Sequence, residues 1–184
     1  MKKESRILGL SAFERAPEVI PVIGVIFRGS QWFDGIIACH LRPWNHKNTS
    51  DLARAIIKCK QYSQIHVVIL VNEQFSLRTR VYMTALSTAI NRPIIAIVRK
   101  RSALVGKEHQ KQSESPLPNY YRVKLSGKYL SILATKLTFT ETSEILSLAC
   151  VKGSTTPEAV RVAQLIVCHA TDLYTFKPRR APKI

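Results

Sequence analysis

Two uninterrupted apolar runs constrain the fold of this chain more than any other feature of its sequence. They are His66–Val71 (HVVILV) and Ile94–Val98 (IIAIV). Continuous runs of this kind are typical of strands that are buried on both faces, as in a parallel sheet covered by helices on both sides. We therefore predict that the two runs form adjacent central strands of one sheet.

The residues before these runs predict a meander of further strands. Arg6–Leu10 (RILGL), Val19–Arg28 and Gln31–Leu41 are apolar and rich in β-branched residues. Gly29-Ser30 is a tight-turn signal, so the second and third segments should form a hairpin. Asp34-Gly35 inside the hairpin indicates a bulge.

The remaining pattern predicts helices and one more strand. Helical spacing predicts helices over Asp51–Tyr62, Arg78–Ile90 and Thr140–Cys150 and after Thr156, with Thr49, Ser50 or Asp51 capping the first. Tyr129–Leu137 is a predicted strand, and the polar stretch 99–118 is a predicted connection. This order predicts an α/β fold, a mixed sheet with helices on its faces, as in a ribonuclease H-like domain. We expect a single domain over residues 1–175 and a basic, flexible tail over 176–184.

Charge is the strongest compositional signal. The 184 residues include 28 Lys and Arg against 12 Asp and Glu, which gives a formal net charge of +16. Such an excess repels itself in a folded domain, and a polyanionic partner relieves that repulsion. Nucleic acid is the usual polyanion, so the composition favours nucleic-acid binding.

Several other classes of protein lose support. The apolar runs are too short to span a bilayer, and the residues after Met1-Lys2-Lys3 are polar, so we expect an unexported, cytoplasmic protein without a membrane partner. No glycine-rich nucleotide-binding motif occurs. The cysteines, none of them in a C-x-x-C pair, match no common zinc module and are interpreted as structural thiols: Cys39, Cys59, Cys150 and Cys168. We therefore expect no cofactor.

Three stretches together carry a family resemblance. They are Arg6–Gly9 (RILG), Val22–Gly35 (VIGVIFRGSQWFDG) and Pro157–Ile166 (PEAVRVAQLI). Between residues 6 and 170 the chain resembles the archaeal family known as domain of unknown function 99, a relative of endonuclease V. The resemblance implies a ribonuclease H-like fold and a pocket in which carboxylates at strand ends hold Mg²⁺ for phosphodiester cleavage.

The chain departs from that family where the metal ligands belong. Leu10 and Ser11 stand where the family has acidic residues after the glycine of its first strand, and Val71-Asn72 replace an Asp-Gly after the fourth. Leucine and valine cannot coordinate Mg²⁺, which requires oxygen ligands. We therefore assign no catalytic and no metal-binding residue. The alternative is a metal site rebuilt from Glu73, Asp34 or Glu14.

Cations accumulate where the acids are missing. Arg78 and Arg80 follow the position of the lost fourth-strand acid, and Arg can bind phosphate with two hydrogen bonds at once. Trp32, Trp44, Tyr120 and Tyr121 are aromatic residues that can stack on bases. Trp32 is expected instead to pack in the hairpin, and Tyr120 and Tyr121 beside Arg122 are the better stacking candidates. The predicted nucleic-acid-binding residues are Arg78, Arg80, Arg99, Lys100, Arg101, Tyr120, Tyr121, Arg122, Lys177, Arg179 and Arg180.

These observations predict a non-catalytic nucleic-acid-binding protein with an endonuclease V-like fold. RNA or a ribonucleoprotein such as the ribosome is the favoured partner, because short basic tails with prolines thread along nucleic-acid backbones. Two alternatives stay open. One is a metal-dependent endonuclease with relocated acids, and the other is a module whose old pocket holds a protein or a small ligand.

Overall fold

The computed structural model describes residues 5–13, 18–71, 75, 78–98 and 117–174. These residues form one α/β domain around a seven-stranded sheet with the strand order β3-β2-β1-β4-β5-β7-β6. The predicted tail, 176–184, lies outside the described residues, as does most of the predicted polar connection.

The predicted meander forms the first three strands. β1 (Arg6–Ala12) pairs antiparallel with β2 (Ile20–Arg28), which pairs antiparallel with β3 (Trp32–Leu41). Ile26 faces Gly35 and Phe27 faces Phe33, so Asp34 is the extra residue of a bulge. The predicted hairpin and its bulge are both confirmed.

The two apolar runs are the central strands. β4 (Ile65–Val71) pairs parallel with β1 on one side and with β5 (Ile94–Val98) on the other. Every residue from Val67 to Val71 is buried. Because helices cover both faces, neither strand shows an apolar–polar alternation, and the prediction from the continuous runs is confirmed.

A second hairpin completes the sheet beyond β5. β7 (Lys128–Ala134) pairs antiparallel with β5 and with β6 (Asn119–Leu125), which is the last strand on that side. The prediction of a strand over Tyr129–Leu137 is confirmed for most of its length. β6 was not predicted, although its buried residues Val123 and Leu125 alternate with exposed Arg122 and Lys124.

The four α-helices of the described chain cover the sheet in pairs, and a short 3-10 helix (Tyr62–Gln64) precedes β4. α1 (Asn48–Ile57) and α2 (Met83–Ala89) pack on one face, and α3 (Phe139–Ala149) and α4 (Glu158–Tyr174) pack on the other. Among the described helices, none is long and apolar enough to cross a lipid bilayer.

Two predicted helix starts are wrong. The first helix begins at Asn48 rather than Asp51, and no side chain caps its N-terminus. The second begins at Met83 rather than Arg78. The Thr49 hydroxyl, one of the predicted caps, instead donates to the carbonyl of Arg80 (3.3 Å) and accepts from the amide of Tyr82 (3.1 Å). The residues before α2 are thereby held in a non-helical path.

The close contact between β1 and α4 explains one part of the family resemblance. A Cβ atom at Gly9 would lie 2.3 Å from the carbonyl carbon of Ala159 and 2.4 Å from the amide nitrogen of Val160. Only glycine permits this approach. The stretches RILG and PEAVRVAQLI, distant in sequence, therefore form one packed unit.

Candidate nucleic-acid interface

The parallel strands β1 and β4 have their C-terminal ends at the same end of the sheet, where the family resemblance places metal-binding acids. Leu10 is fully buried, and its register partner Leu70 and the strand-end Val71 are 2% exposed. Leu10 and Val71 pack into the cores on opposite faces of the sheet. Neither side chain can bind Mg²⁺, so the described strand ends do not fit the metal that the resemblance implies.

Asp34 lies at the other end of the sheet, where β1 and β3 begin. Its carboxylate accepts a hydrogen bond from Nε of Arg6 and lies 3.1 Å from Nη2 of Arg28. The hydrogen bond from Arg6, aided by the charges of both arginines, lowers the pKa of the Asp34 carboxyl below its ordinary value. Asp34 therefore cannot join a metal site at the ends of β1 and β4.

The other acids proposed for a rebuilt site, Glu14 and Glu73, lie outside the described residues. Within the part of the chain that the structure describes, no three His, Cys, Asp or Glu side chains come close enough to hold a metal ion.

The end of the sheet where β1 and β4 terminate lacks the expected acids and carries a cluster of basic and aromatic side chains. Strand β3 runs in the same direction as β1 and β4. The loop after β3 and the segment between β4 and α2 therefore meet at this end of the sheet. Asn48, which is fully buried, fastens them together. Its amide nitrogen donates to the carbonyls of Arg42 (2.6 Å) and Thr79 (2.7 Å), and its amide oxygen accepts from the Arg42 amide (3.1 Å).

Trp44 lies at the centre of this arrangement. Its backbone amide donates to the carbonyl of Arg78 (2.7 Å), and the Arg80 guanidinium carbon lies 5.8 Å from the centre of its ring. Nη1 of Arg80 lies 3.1 Å from Nδ1 of His46. Trp44 is 54% exposed, so part of its ring is open to a partner. We call Arg42, Trp44, His46, Arg78 and Arg80 the Trp44 cluster.

Two of the five described non-glycine residues with positive φ lie in the same cluster. Trp44 has a φ of 62° and Arg80 a φ of 47°, in the left-handed region that bulky residues rarely adopt. Such strain persists only where surrounding contacts enforce it, and it is enriched at binding sites. Here the bond from the Trp44 amide to the Arg78 carbonyl and the bond from Thr49 to the Arg80 carbonyl hold the backbone of these two residues in place.

Several of the described acids are engaged elsewhere in the domain. Asp51 lies 3.3 Å from Arg54, and Glu158 lies 2.6 Å from Arg161. Glu141 closes a capping box with Thr138 at the start of α3. Among the described residues, no ion pair involves Arg42 or Arg80. The positive charges of Arg42 and Arg80 are therefore not neutralised by these acids.

The predicted binding residues are not all in one place. Arg78 and Arg80 belong to the Trp44 cluster, whereas Tyr120 and Arg122 lie on an exposed face of β6. Tyr121 points to the other face, where its hydroxyl donates to the Leu137 carbonyl (3.0 Å) and its ring packs edge-on against Phe139. The others lie outside the described residues and stay predictions: Arg99, Lys100, Arg101, Lys177, Arg179 and Arg180.

Sequence reasoning missed part of this site. Trp44 was a candidate for base stacking but not one of the final set of predicted binding residues, and Arg42 and His46 were not predicted at all, although the stretch Arg42–Lys47 (RPWNHK) combines cations with an aromatic residue. Asn48 carries no recognisable signal, because its role depends on tertiary contacts, one of them with Thr79, 31 positions away.

Solved structures identify the fold as that of the endonuclease V class. The chain is similar to a protein of unknown function from Archaeoglobus fulgidus, with a TM-score of 0.71 and 17% identity, covering 90% of this chain and 97% of that one. It is also similar to human ENDOV, with a TM-score of 0.66, 11% identity and coverage of 92% and 85%. A third is the Ciona intestinalis endonuclease V in complex with an inosine-containing 24mer DNA, with a TM-score of 0.60, 11% identity and coverage of 92% and 87%.

Among curated sequences, the similarity is to archaeal proteins called UPF0215. The Methanothermobacter thermautotrophicus protein is 29% identical over 103 residues, which cover 54% of this chain and 50% of that protein. The Methanosarcina mazei protein is 24% identical over 189 residues and 93% of each chain. The chain thus spans about half the length of the first relative and nearly all of the second. No family model matches the chain. These findings confirm the resemblance to an uncharacterised archaeal family with an endonuclease V-like fold.

Proposed function

We propose that this protein binds nucleic acid without cleaving it, and that the Trp44 cluster contacts the phosphate backbone. The observation that carries the proposal is the replacement of strand-end acids by buried Leu10 and Val71 beside a cluster of arginines and an exposed tryptophan. Ligands of open α/β sheets bind at the carboxyl ends of the strands, which is where this cluster lies.

The chemistry of the cluster suits a phosphodiester. Arg78 and Arg80 can offer paired N–H donors to phosphate oxygens, and the exposed part of Trp44 can stack on a base. The Ciona endonuclease V of the same fold is bound to DNA in its crystal structure, which supports nucleic acid as the class of partner. RNA or a ribonucleoprotein is the finer proposal, supported by the net charge of +16 and by the basic sequence of the tail.

Salt dependence of binding tests this proposal. Each neutralised phosphate contributes roughly −0.9 to the slope of log affinity against log salt for duplex, and roughly −0.7 for single strands. Arg78→Gln with Arg80→Gln should reduce the slope by up to two such contributions. The matched control is Arg54→Gln with Arg161→Gln, which removes the same charge from arginines paired with Asp51 and Glu158. The control should leave most of the slope unchanged.

The basic tail offers an independent measurement. Deleting 177–184 should reduce the salt slope by an amount that adds to the effect of the Arg78 and Arg80 changes, if tail and cluster share no packed partners. A binding curve for structured RNA that is flat between low and physiological salt would contradict nucleic-acid binding. A salt-dependent curve unaffected by either change would assign the contacts to Arg99–Arg101 instead.

Cleavage assays address the alternative of a relocated metal site. We expect no hydrolysis of inosine-containing or plain DNA and RNA in Mg²⁺ or Mn²⁺, because Leu10 and Val71 cannot hold metal and Asp34 is held by Arg6 and Arg28. Cleavage that disappears in Glu73→Gln would establish the relocated site and refute the non-catalytic proposal.

A further inference from the structure

One face of the β6–β7 hairpin is open, aromatic and basic. Tyr120, Arg122 and Lys124 alternate along β6 with the inward-facing Tyr121, Val123 and Leu125. Ser131 lies opposite Arg122, and Tyr129 lies opposite Lys124, so both share the outer face. We call Tyr120, Arg122, Lys124, Tyr129 and Ser131 the β6–β7 platform.

The platform is held in place by its own contacts. The Tyr120 hydroxyl shares a hydrogen bond of 2.9 Å with Oγ of Ser131, and the Tyr120 side chain remains 53% exposed. The Arg122 guanidinium lies 5.2 Å from the centre of the Tyr129 ring, and the Lys124 ammonium lies 5.9 Å from it. Rings and cations fixed in this way lose little conformational entropy when a ligand binds.

The platform lies on the same side of the sheet as α1 and α2. Tyr120 is opposite Leu133, which packs into the core formed with those two helices. On this side neither α1 nor α2 covers the platform, because Tyr120 is 53% and Tyr129 62% exposed, whereas α3 packs on the opposite face of β6. An open sheet face of this kind gives planar ligands direct access to the aromatic rings.

The charge of the platform is not balanced locally. From Ser115 to Thr140 the sequence contains no Asp or Glu. In the described part of the chain, no ion pair involves Arg122 or Lys124. The platform therefore combines unneutralised cations with stacking surfaces, the combination by which proteins bind unpaired nucleotides.

We propose that the β6–β7 platform binds single-stranded nucleic acid by stacking unpaired bases. Tyr120 stacks one base, Arg122 on its Tyr129 support stacks a neighbouring one, and Lys124 contacts phosphate. Tyr120 and Arg122 are two residues apart on a strand, roughly 7 Å, which allows consecutive unpaired bases to lie on both. Bases of a duplex are already stacked on each other and cannot do so. This inference rests on the proposed function and specifies its substrate class.

The test compares an unstructured 12-mer RNA with a duplex of the same length, both fluorescently labelled, at one salt concentration. Tyr120→Leu should weaken binding of the single strand about fivefold or more, because it removes a stacking surface but no charge. It should leave duplex binding unchanged, and a separate titration over several salt concentrations should give the same slope as the unmodified protein. Tyr120→Phe keeps the ring and should bind the single strand nearly as the unmodified protein does. Trp32→Leu is the matched control, since Trp32 is exposed at the far edge of the sheet, and should bind normally.

Stacking has its own spectroscopic signature. A 2-aminopurine placed in the single strand should lose fluorescence on binding the unmodified protein and lose less on binding Tyr120→Leu. A merely structural role for Tyr120 would not produce this difference.

Failure of the platform and failure of the proposed function give different results. If Tyr120→Leu and Arg122→Gln bind the single strand as the unmodified protein does, while Arg78→Gln with Arg80→Gln still lowers the salt slope, the platform inference is overturned alone. If polyglutamate competes as well as RNA, the platform binds acidic protein surfaces and stacking is overturned. If no nucleic acid binds in a salt-dependent way, the proposed function itself is refuted.

Discussion

The two edge strands of the sheet differ in chemistry although both leave one row of backbone N–H and C=O groups unpaired in the sheet. β3 exposes Trp32, Phe33 and Ile36 and contains no Lys or Arg. β6 begins with the polar Asn119 and exposes Tyr120 and the cations Arg122 and Lys124. Charged side chains on an edge discourage pairing with another strand, whereas an apolar edge does not.

This difference separates two kinds of surface on one molecule. The β6 edge repels another positively charged chain and attracts a polyanion, so it suits nucleic acid. β3 itself offers no Lys or Arg to a polyanion, and its one carboxylate, Asp34, is paired with Arg6 and Arg28. The bulge at Asp34 interrupts the edge and limits its pairing with a further strand.

The largest expected effect comes from the strands between the two edges. Val68 is fully buried in β4, and Val68→Asp would place an unpaired carboxylate in the core. It should lower the free energy of unfolding by several kcal/mol, measured by denaturant titration. Val151→Asp, at an exposed valine, is the matched control and should change stability by less than about 0.5 kcal/mol. Equal melting of the two variants would refute the central placement of β4.

Charge reversal on β6 should break the difference between the edges. Arg122→Glu with Lys124→Glu should weaken nucleic-acid binding about tenfold or more, because it replaces attraction of phosphate by repulsion. Lys58→Glu with Lys60→Glu changes the net charge equally at exposed lysines after α1 and should have a much smaller effect. Equal losses in the two double variants would show that net charge, not the position of β6, controls binding.

Removal of the neutralised carboxylate should weaken the β3 edge. Asp34→Asn should lower the free energy of unfolding by about 1 kcal/mol near neutral pH, since it removes charge-assisted hydrogen bonds with Arg6 and Arg28. The pKa of Asp34 is lowered in the folded protein, so its contribution is fully present above the pKa of the unfolded chain. That contribution disappears as the pH falls through the lowered pKa. The stabilities of the two proteins should therefore converge in acid, and a constant difference down to low pH would contradict the ion pair.

The smallest effect tests whether α1 covers the face of β3 that carries Cys39. Cys39 points toward α1, and burial together with the charge of Asp51 raises the pKa of its thiol to about 11. Cys168 on α4 is exposed. Iodoacetamide at pH 8 should therefore modify Cys168 well before Cys39, as followed by mass spectrometry of peptides. Rapid modification of Cys39 would show that α1 does not cover this face.

The comparison of edges also shows which parts of the molecule could be predicted from its sequence. The central strands follow from continuous apolar runs, and the bulge follows from Asp34-Gly35, because each is fixed by local pattern. β6 had a signal in the alternation of Val123 and Leu125 with charged residues, but it follows a long polar stretch and was missed.

The path around the Trp44 cluster could not be predicted. A helix beginning at Arg78 is the natural expectation from local spacing, yet the carbonyls of Arg78 and Thr79 bond instead to Trp44 and Asn48. Tertiary hydrogen bonds outweigh helical propensity here, and they come from residues about thirty positions earlier in the chain.

The contact of Gly9 with Ala159 also constrains how the domain forms during synthesis. The ribosome releases β1 and β2 early, but Ile23, Val25 and Phe27 are buried against Ala159, Ala163 and Val167 of the last helix. Until α4 leaves the exit tunnel, the sheet has an uncovered apolar face in a growing chain. Completion of the fold therefore has to wait for the synthesis of α4, and until then this apolar face can aggregate with other chains.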